Sequence, residues 1–185
     1  MSQPPIEIHG YAIVSDDDRI AGPDGATPLA LRNDADWAYF QRELDAADLV
    51  ALGRHGHEIN PNLRRRRRLV VSSSARGLDQ RGDVWWWNPA ALSWGEAAAL
   101  LLRAGGRVAV PGGQGVFDLF LTIGYDAFHL SRALGATAPG GRAVFSACDS
   151  GVFAEAVLSG AGLKAGPVEV LDAAAPVTLT VWRKS

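Results

Sequence analysis

The sequence has few of the residues that indicate a disulfide-stabilised, metal-binding or membrane-spanning protein. Cys148 is the only cysteine among 185 residues, which excludes an intrachain disulfide and a multi-cysteine zinc site. No apolar run approaches the roughly 20 residues needed to cross a bilayer, and the first ten residues lack the apolar segment of a signal peptide. We therefore expect a cytoplasmic protein with no bound metal and no membrane partner.

An excess of charge is also absent. The formal net charge of −2 gives no overall attraction to nucleic acid. The five arginines at 64–68 are a basic run, but they adjoin an apolar segment and have no second basic segment to extend them. We predict no nucleic-acid partner and mostly solvated arginines, with one or two facing an anionic ligand. The length predicts a single domain over residues 1–185.

Strand-like and helix-like segments alternate along the chain. Strand patterns cover 6–15, 48–53, 68–72, 83–87, 107–111 and 125–132, and a closing hairpin joins 168–171 to 177–182. Helix patterns run from a cap at Asn33 or Asp34 to about Ala47, from Ser93 to Gly105, over 114–121 and over 150–158. Segments 16–28 and 75–83 are predicted loops. The order predicts an α/β fold with a mainly parallel central sheet, helices on both faces and antiparallel strands at one edge.

Three predicted strands end in residues suited to an anionic ligand. These residues are Arg54 and His55 after 48–53, Ser72 and Ser73 after the next strand, and Gly112, Gly113, Gln114, Gly115 and Val116 after 107–111. Open α/β sheets bind ligands beyond the carboxyl ends of their strands, and a glycine turn before a helix suits a phosphate. A dinucleotide with an extra ribose phosphate uses all three ends, which favours NADPH over NADH. The usual G-x-G-x-x-G fingerprint is absent.

Asp36 is the candidate acid. It falls in the first turn of the helix that begins near Asn33, where any carboxylate is favoured by the helix dipole. A functional role requires instead that partial burial raise its pKa. Asp34 is the nearby alternative, although its position also suits a helix cap. We predict no metal among the scattered histidines and read them as structural groups.

Taken together and in this order, the segments resemble the dihydrofolate reductase family, including the related reductase domain of riboflavin biosynthesis. The similar segments are DRIAGPDG (18–25) for the flexible loop, DWAYF (36–40) for the acid and a stacking aromatic, GRHGHE (53–58) for the cofactor motif, RRRLVVSS (66–73) for an arginine, strand and serines, VPGGQGVF (110–117) for the glycine pair, and DAFHLS (126–131) for a strand ending in a hydroxyl. The resemblance implies a three-layer sandwich and an NADPH-dependent oxidoreductase.

For the cofactor, the resemblance implies that Arg54 and Ser73 hold the adenosine 2′-phosphate. His55 and the N–H groups of residues 113–115 lie near the pyrophosphate. The two glycines, Gly112 and Gly113, are implied to be joined by a cis peptide bond.

For the substrate, the resemblance implies that Asp36 is hydrogen-bonded to Ser131. The acid grips a pterin-like ring and favours protonation of its imine nitrogen while the nicotinamide delivers hydride to the adjacent carbon. Phe40 packs on the ring, and Arg66 pairs with the glutamate carboxylate of folate, a bidentate geometry that lysine does not reproduce.

The sequence departs from the family at two informative places. Thr27-Pro28-Leu29 stands where a Pro-Trp pair is usual, and Gly56 replaces a phosphate-binding threonine. Three hypotheses therefore remain: a reductase of dihydrofolate or a related pterin, a reductase of a ribosylated aminopyrimidine, and a cofactor-binding homologue without folate activity. Asp36 and Ser131 favour the first. A homodimer is possible in each case.

Overall fold

The computed structural model describes residues 4–185. Its strands are β1 (Ile6–Val14), β2 (Arg19–Ala21), β3 (Leu49–Gly53), β4 (Arg68–Val71), β5 (Leu78–Arg81), β6 (Val84–Trp87), β7 (Gly106–Gly112), β8 (Ala127–Ala133), β9 (Arg142–Ala143), β10 (Leu163–Asp172) and β11 (Val177–Lys184). Its α-helices are α1 (Asp34–Asp45), α2 (Arg54–Ile59), α3 (Trp94–Leu101), α4 (Gln114–Ile123) and α5 (Ala154–Gly160), with short 3-10 helices at Leu29–Leu31 and Ser146–Ser150.

Nine strands form one sheet in the order β10-β11-β8-β1-β7-β3-β4-β6-β5. The six strands from β8 to β6 are parallel to one another. The β10–β11 hairpin adds antiparallel strands at one edge, and β5 adds another at the opposite edge. The predicted α/β architecture, with its mainly parallel sheet and C-terminal hairpin, is confirmed.

Two apolar clusters lie on the two faces of the sheet because successive strand residues point to opposite sides. On one face, Val108 and Val110 of β7 belong to the cluster that includes Phe117 and Phe120 of α4. That cluster also takes in α3 and α5. On the other face, Ala109 packs in the cluster that α1 covers. The helices therefore lie on both sides, as predicted.

The predicted loop at 75–83 is wrong. Residues Leu78–Arg81 form β5, which pairs with β6 through a tight turn where Gly82 has φ +64°. The strand is polar and partly exposed, because an edge strand needs no apolar face of its own. The polarity of these residues is the reason the sequence predicted a loop here.

Several other boundaries also differ from the prediction. The loop predicted at 16–28 contains β2, which pairs with β9 in a separate two-stranded sheet. The last helix begins at Ala154 rather than Ser150, since a 3-10 helix occupies 146–150 and ends at Gly151 with φ +85°. Helix α2 was not predicted.

The cap of α1 is Asn33, not Asp34. The Asn33 side chain accepts hydrogen bonds from the N–H groups of Ala35 and Asp36 at 3.0 and 3.1 Å. These are two of the otherwise unpaired N–H groups at the start of the helix. Asp34 consequently has no capping role and its side chain is exposed to solvent.

A buried ion pair anchors the segment that leaves β1. Asp18 is only 3% exposed, and its carboxylate accepts from Nη2 of Arg132 at 2.7 Å and from the N–H of Ala154 at 3.0 Å. Arg132 also donates to the Ser15 carbonyl at 2.7 Å and to Glu155 at 2.6 Å. The pair thus joins the segment after β1 to strand β8 and to the start of α5.

Removing the Asp18 charge should destabilise the fold strongly. Asp18 has a positive φ of 59°, and Asn tolerates that conformation, so Asp18→Asn isolates the loss of charge beside a buried arginine. We expect a loss of about 3 kcal/mol in the free energy of unfolding, measured by urea denaturation. Glu155→Gln is the matched control, and because the Glu155 side chain is 42% exposed, against 5% for Asp18, its loss should stay below about 1 kcal/mol. Equal effects of the two substitutions would contradict the assignment.

Candidate cofactor and substrate site

The three strand ends predicted to bind an anion are brought together. Strands β7, β3 and β4 are consecutive in the sheet and parallel, so their carboxyl ends share one edge. Adjacent strands lie about 4.8 Å apart. The start of α4, the start of α2 and the residues after β4 therefore lie along one short stretch of this edge. Val116 contacts the glycine that precedes α2, since a Cβ on Gly53 would lie 3.3 Å from its side chain.

The start of α4 has open backbone. Gly113 is its N-cap and offers no side chain to the first N–H groups of the helix, which are unpaired within any helix. A Cβ added at Gly113 or Gly115 would meet nothing within 4 Å. At Gly112, by contrast, φ is +106° and an added Cβ would lie 2.6 Å from the Phe117 ring. The predicted cis bond between Gly112 and Gly113 is present.

The remaining predicted cofactor residues lie at the same edge. Arg54 is exposed, and its Nε donates to Glu58 at 2.7 Å, one helical turn away. His55 and Ser73 are also exposed. Exposed ion pairs contribute little to stability, so a phosphate can replace Glu58 as the partner of Arg54 at small cost.

Two further cofactor candidates have protein partners. The Ser72 hydroxyl contacts the Ser74 hydroxyl at 2.9 Å. Gln114 donates to Asp149 at 2.9 Å and so points toward the 3-10 helix at 146–150. Both contacts are exposed.

A cavity of about 730 Å³ lies on the α1 side of the sheet. It is lined by β1, β8, α1, the end of α2 and the segment 25–33 between β2 and α1; the lining includes Tyr11, Ile13, Thr27, Asp34, Asp36, Trp37, Tyr39, Phe40, Ile59, Pro111, Phe117, His129 and Ser131. Pro111 and Phe117 stand on either side of the glycine pair in sequence. The cavity therefore adjoins the edge where α4 begins.

Asp36 is the half-buried acid of this cavity. Burial raises the pKa of its carboxyl group above the usual 3.8, and the nearby Ser131 hydroxyl acts in the opposite direction. Phe40, one turn further along α1, also lines the cavity. The structure thus brings Asp36, Ser131 and Phe40 together. Asp34 lines the same cavity from an exposed position.

Arg66 is not among the residues that line the cavity. Its Nε donates to Asp45 at 2.9 Å, and its Nη2 donates to the Gln41 side chain at 2.7 Å. Arg64 is a second partner of Asp45. Two of the five arginines in the run therefore bind the last turn of α1.

Sequence reasoning treated the histidines as structural groups and overlooked one polar pair in the cavity. The Tyr39 hydroxyl lies 2.5 Å from Nδ1 of His129, and both side chains line the cavity. A sequence signal existed, since Asp36 and Tyr39 share a helix face at i and i+3. His129 and Ser131 share a strand face at i and i+2.

Over residues 4–185, no group of three or more His, Cys, Asp or Glu side chains is arranged to hold a metal ion. Within the same residues, none of the helices has the length and apolar character needed to cross a membrane.

No protein-family model matches the sequence, and no curated protein matches it. The three-dimensional structure does have solved relatives. One is dihydrofolate reductase from Enterococcus faecalis complexed with NADP(H) and RAB-propyl, which superposes with a TM-score of 0.68 at 15% identity, over 97% of this chain and 96% of that chain. The protein has the dihydrofolate reductase-like fold.

A second solved protein with the dihydrofolate reductase-like fold comes from Thermotoga maritima. It is a diaminohydroxyphosphoribosylaminopyrimidine deaminase/5-amino-6-(5-phosphoribosylamino)uracil reductase, with a TM-score of 0.67 and 18% identity. The superposition covers 98% of the present chain and 57% of that chain. This chain therefore matches just over half of that longer protein.

The raised pKa of Asp36 predicts how stability depends on pH. The folded state keeps the Asp36 proton to higher pH than the unfolded state, so this group lowers stability as pH rises from about 3.8 through the folded-state pKa. Asp36→Asn removes that loss. The variant should therefore gain stability over the parent as pH rises to neutrality and show no such gain near pH 3.

This prediction is checked by urea denaturation across that pH range. Asp34→Asn is the matched control, since Asp34 lies in the same helical turn and is exposed. A stability difference between Asp36→Asn and the parent that does not vary with pH would rule out a raised pKa.

Proposed function

We propose that the protein is an NADPH-dependent reductase whose substrate is dihydrofolate or a related pterin. One observation carries the proposal: a half-buried acid, Asp36, lies in a cavity that adjoins the open start of α4. A reductase of this kind needs a pocket for a ring and, beside it, a place for a phosphorylated carrier. The solved dihydrofolate reductase of the same fold was complexed with NADP(H).

The residues at the sheet edge suit NADPH. Gly113 to Gly115 offer unpaired N–H groups and space for a phosphate to approach, because neither glycine carries a Cβ. The positive end of the α4 dipole favours a negative group at that point. Arg54, His55, Ser72 and Ser73 would hold the adenosine phosphates. When bound, NADPH supplies the hydride for the reduction.

The cavity residues supply the substrate chemistry. Phe40 offers an aromatic surface on which a flat ring can pack, and the Asp36 carboxylate accepts hydrogen bonds from ring N–H groups. Partial burial strengthens that electrostatic interaction. Asp36 therefore favours the protonated form of the ring, and protonation of its imine nitrogen makes the adjacent carbon a better hydride acceptor. Ser131 orients the carboxylate.

A second candidate substrate is a ribosylated aminopyrimidine. It is favoured by the contacts of Arg66, because its guanidinium already donates hydrogen bonds to Asp45 and Gln41 and is not available to pair with the carboxylate of folate. It is also favoured by Thr27-Pro28, where a ring-contacting tryptophan is usual in dihydrofolate reductases. Such a substrate presents a small ring and a sugar phosphate rather than a long acidic tail.

Replacing Asp36 should abolish most of the activity. We expect Asp36→Asn to lower kcat/KM for dihydrofolate by about 10²-fold or more, the lower end of what a positioned acid contributes. NADPH oxidation is the measurement, with dihydrofolate and a phosphoribosylated aminopyrimidine as parallel substrates. Asp34→Asn is the control and should retain activity within about 3-fold, because its side chain is exposed in the same turn.

The substrate panel separates the hypotheses. Turnover of dihydrofolate with loss in Asp36→Asn supports the pterin reductase, and turnover of the aminopyrimidine alone supports the second candidate. Stabilisation by NADPH without turnover of either compound would indicate a cofactor-binding homologue and would refute a reductase of these substrates.

Gly115 provides a test of the cofactor site that is independent of the substrate. It is the second residue of α4, and Gly95 is the second residue of α3, with open space at the Cβ position of both. Alanine at either position should raise stability by up to about 1 kcal/mol, because it is the better helix former. Only Gly115→Ala should weaken NADPH binding, by about 10-fold or more, since it crowds charge-assisted N–H contacts.

Calorimetric titration of NADPH into both glycine variants measures this effect, and thermal unfolding measures the stability. If the two variants bind NADPH equally, the phosphate does not lie at the start of α4.

A further inference from the structure

Beside the apolar residues Phe40 and Leu44, helix α1 presents three polar side chains to β1 and β8. Asp36 and Ser131 line the same cavity, the Tyr39 hydroxyl contacts His129, and the Glu43 carboxylate accepts from the Tyr11 hydroxyl at 3.3 Å. Positions 36, 39 and 43 share one face of a helix, and Tyr11 and His129 are direct partners across the two strands. This face is therefore built to place polar groups along the cavity floor.

The Tyr39–His129 contact continues as a chain of polar atoms. The Tyr39 hydroxyl lies 2.5 Å from Nδ1 of His129, and Nε2 of His129 lies 3.2 Å from Nδ1 of His9. Nε2 of His9 lies 3.4 Å from a carboxylate oxygen of Glu7. Both histidines are buried, whereas the Glu7 side chain is 58% exposed. The chain runs from the large cavity to the protein surface.

Both imidazoles are neutral. Burial lowers the pKa of His129 to about 3, with His9, Arg183 and Arg107 acting in the same direction. Burial and Arg107 also lower the pKa of His9, although Glu7 opposes them. A neutral imidazole has one donor nitrogen and one acceptor nitrogen. The hydrogen bonds of this chain of polar atoms therefore all run in one of two directions, either from Tyr39 toward His129 or from His129 toward Tyr39.

Glu7 selects the direction. Its carboxylate lies 3.4 Å from Nε2 of His9, and the negative charge favours the His9 proton on that nitrogen, which leaves Nδ1 of His9 as an acceptor. His129 then donates from Nε2 to His9, which makes its own Nδ1 an acceptor. The Tyr39 hydroxyl must donate its proton to that nitrogen.

The groups around the chain do not reverse this direction. The Tyr11 hydroxyl lies 3.5 Å from Nδ1 of His9 and donates its own proton to Glu43. Its contact with Nδ1 is therefore longer and weaker than the 3.2 Å contact that His129 makes with the same nitrogen. A second cavity, of about 310 Å³, exposes the other side of the chain to Arg107, Arg183, Glu43 and Glu169. Both arginines only donate hydrogen bonds. Among residues 4–185 neither carboxylate has a hydrogen bond to His9 or His129, and Glu43 accepts from the Tyr11 hydroxyl instead.

We propose that Tyr39 is a specificity-determining residue that acts solely as a hydrogen-bond acceptor in the substrate cavity. Its proton is committed to His129, so its oxygen presents only lone pairs to a ligand. Together with the Asp36 carboxylate it favours a ring that offers two N–H donors, and it disfavours any orientation that turns a ring carbonyl, such as the 4-oxo group of a pterin, toward Tyr39. The inference rests on the proposed function, in which the cavity binds a nitrogen heterocycle.

The test compares two ligands that differ in one group. We would measure Kd by calorimetry, without NADPH, for 2,4-diaminopteridine and for 2-amino-4-oxopteridine. Tyr39→Phe removes the acceptor and retains the ring. We expect it to weaken binding of the diamino compound by about 2- to 10-fold, the range of one neutral hydrogen bond, and binding of the oxo compound by less.

Glu7→Gln tests the chain from outside the cavity. A glutamine amide both donates and accepts, so it no longer fixes the His9 proton, and the preference for the diamino compound should fall in the same sense as in Tyr39→Phe. Glu169→Gln is the matched control, because Glu169 is exposed on β10 and lines only the second cavity. A merely structural role of the chain would change stability without changing the ratio of the two Kd values.

The outcomes decide between the proposals. The acceptor role is overturned if Tyr39→Phe weakens both ligands equally, weakens the oxo compound more, or changes neither Kd. It is also overturned if Glu7→Gln leaves the ratio of the two Kd values unchanged. If both compounds bind and one of these patterns is found, only this inference fails. If neither compound binds the parent protein, the proposed function fails with it.

Discussion

The buried ion pair between Asp18 and Arg132 is the interaction on which the cavity depends. Arg132 follows Ser131 in β8, so the pair fixes the strand position that faces Asp36. Asp18 lies just before β2, and the segment after β2 forms one wall of the cavity. Asp18 also accepts the N–H of Ala154 at the start of α5. The Asp18 carboxylate therefore holds three parts of the structure in place: the segment that forms the cavity wall, the β8 strand beside Asp36, and the start of α5 on the opposite face of the sheet.

The two faces of the sheet are built on different principles. On the α4 face the contacts are apolar, with Phe117, Phe120 and Phe128 fully buried in one cluster. On the α1 face, Leu44 packs in an apolar cluster beside three polar side chains of the helix, Asp36, Tyr39 and Glu43, and burial lowers the pKa of the two histidines beneath them. Buried polar groups lower stability unless they are hydrogen-bonded. Their concentration on one face supports the proposal that the substrate binds on that face.

The α/β pattern was predictable because it depends on local sequence. Apolar runs with glycine-ended loops located the parallel strands, and the glycine pair before α4 located the open helix start. The polar edge strand β5 was missed, since an exposed strand has no apolar alternation to reveal it. The Asp36–Ser131 pair followed from the resemblance to dihydrofolate reductases. The Tyr39–His129 pair joins residues 90 positions apart, and local spacing alone does not show which strand faces a helix. It could be predicted only by combining the shared faces of Asp36 with Tyr39 and of Ser131 with His129 with the Asp36–Ser131 pairing that the resemblance implied, and that combination was missed.

The single cysteine gives the protein a practical property. Cys148 is 6% exposed, and burial raises the pKa of its thiol to about 11. Thiol reagents attack the thiolate, so the native cysteine is nearly inert toward them at neutral pH. A cysteine introduced on the segment between β2 and α1, paired with one on the surface of α2, would therefore take a pair of fluorophores without removal of Cys148. Energy transfer between the two would report the width of the cavity entrance in solution.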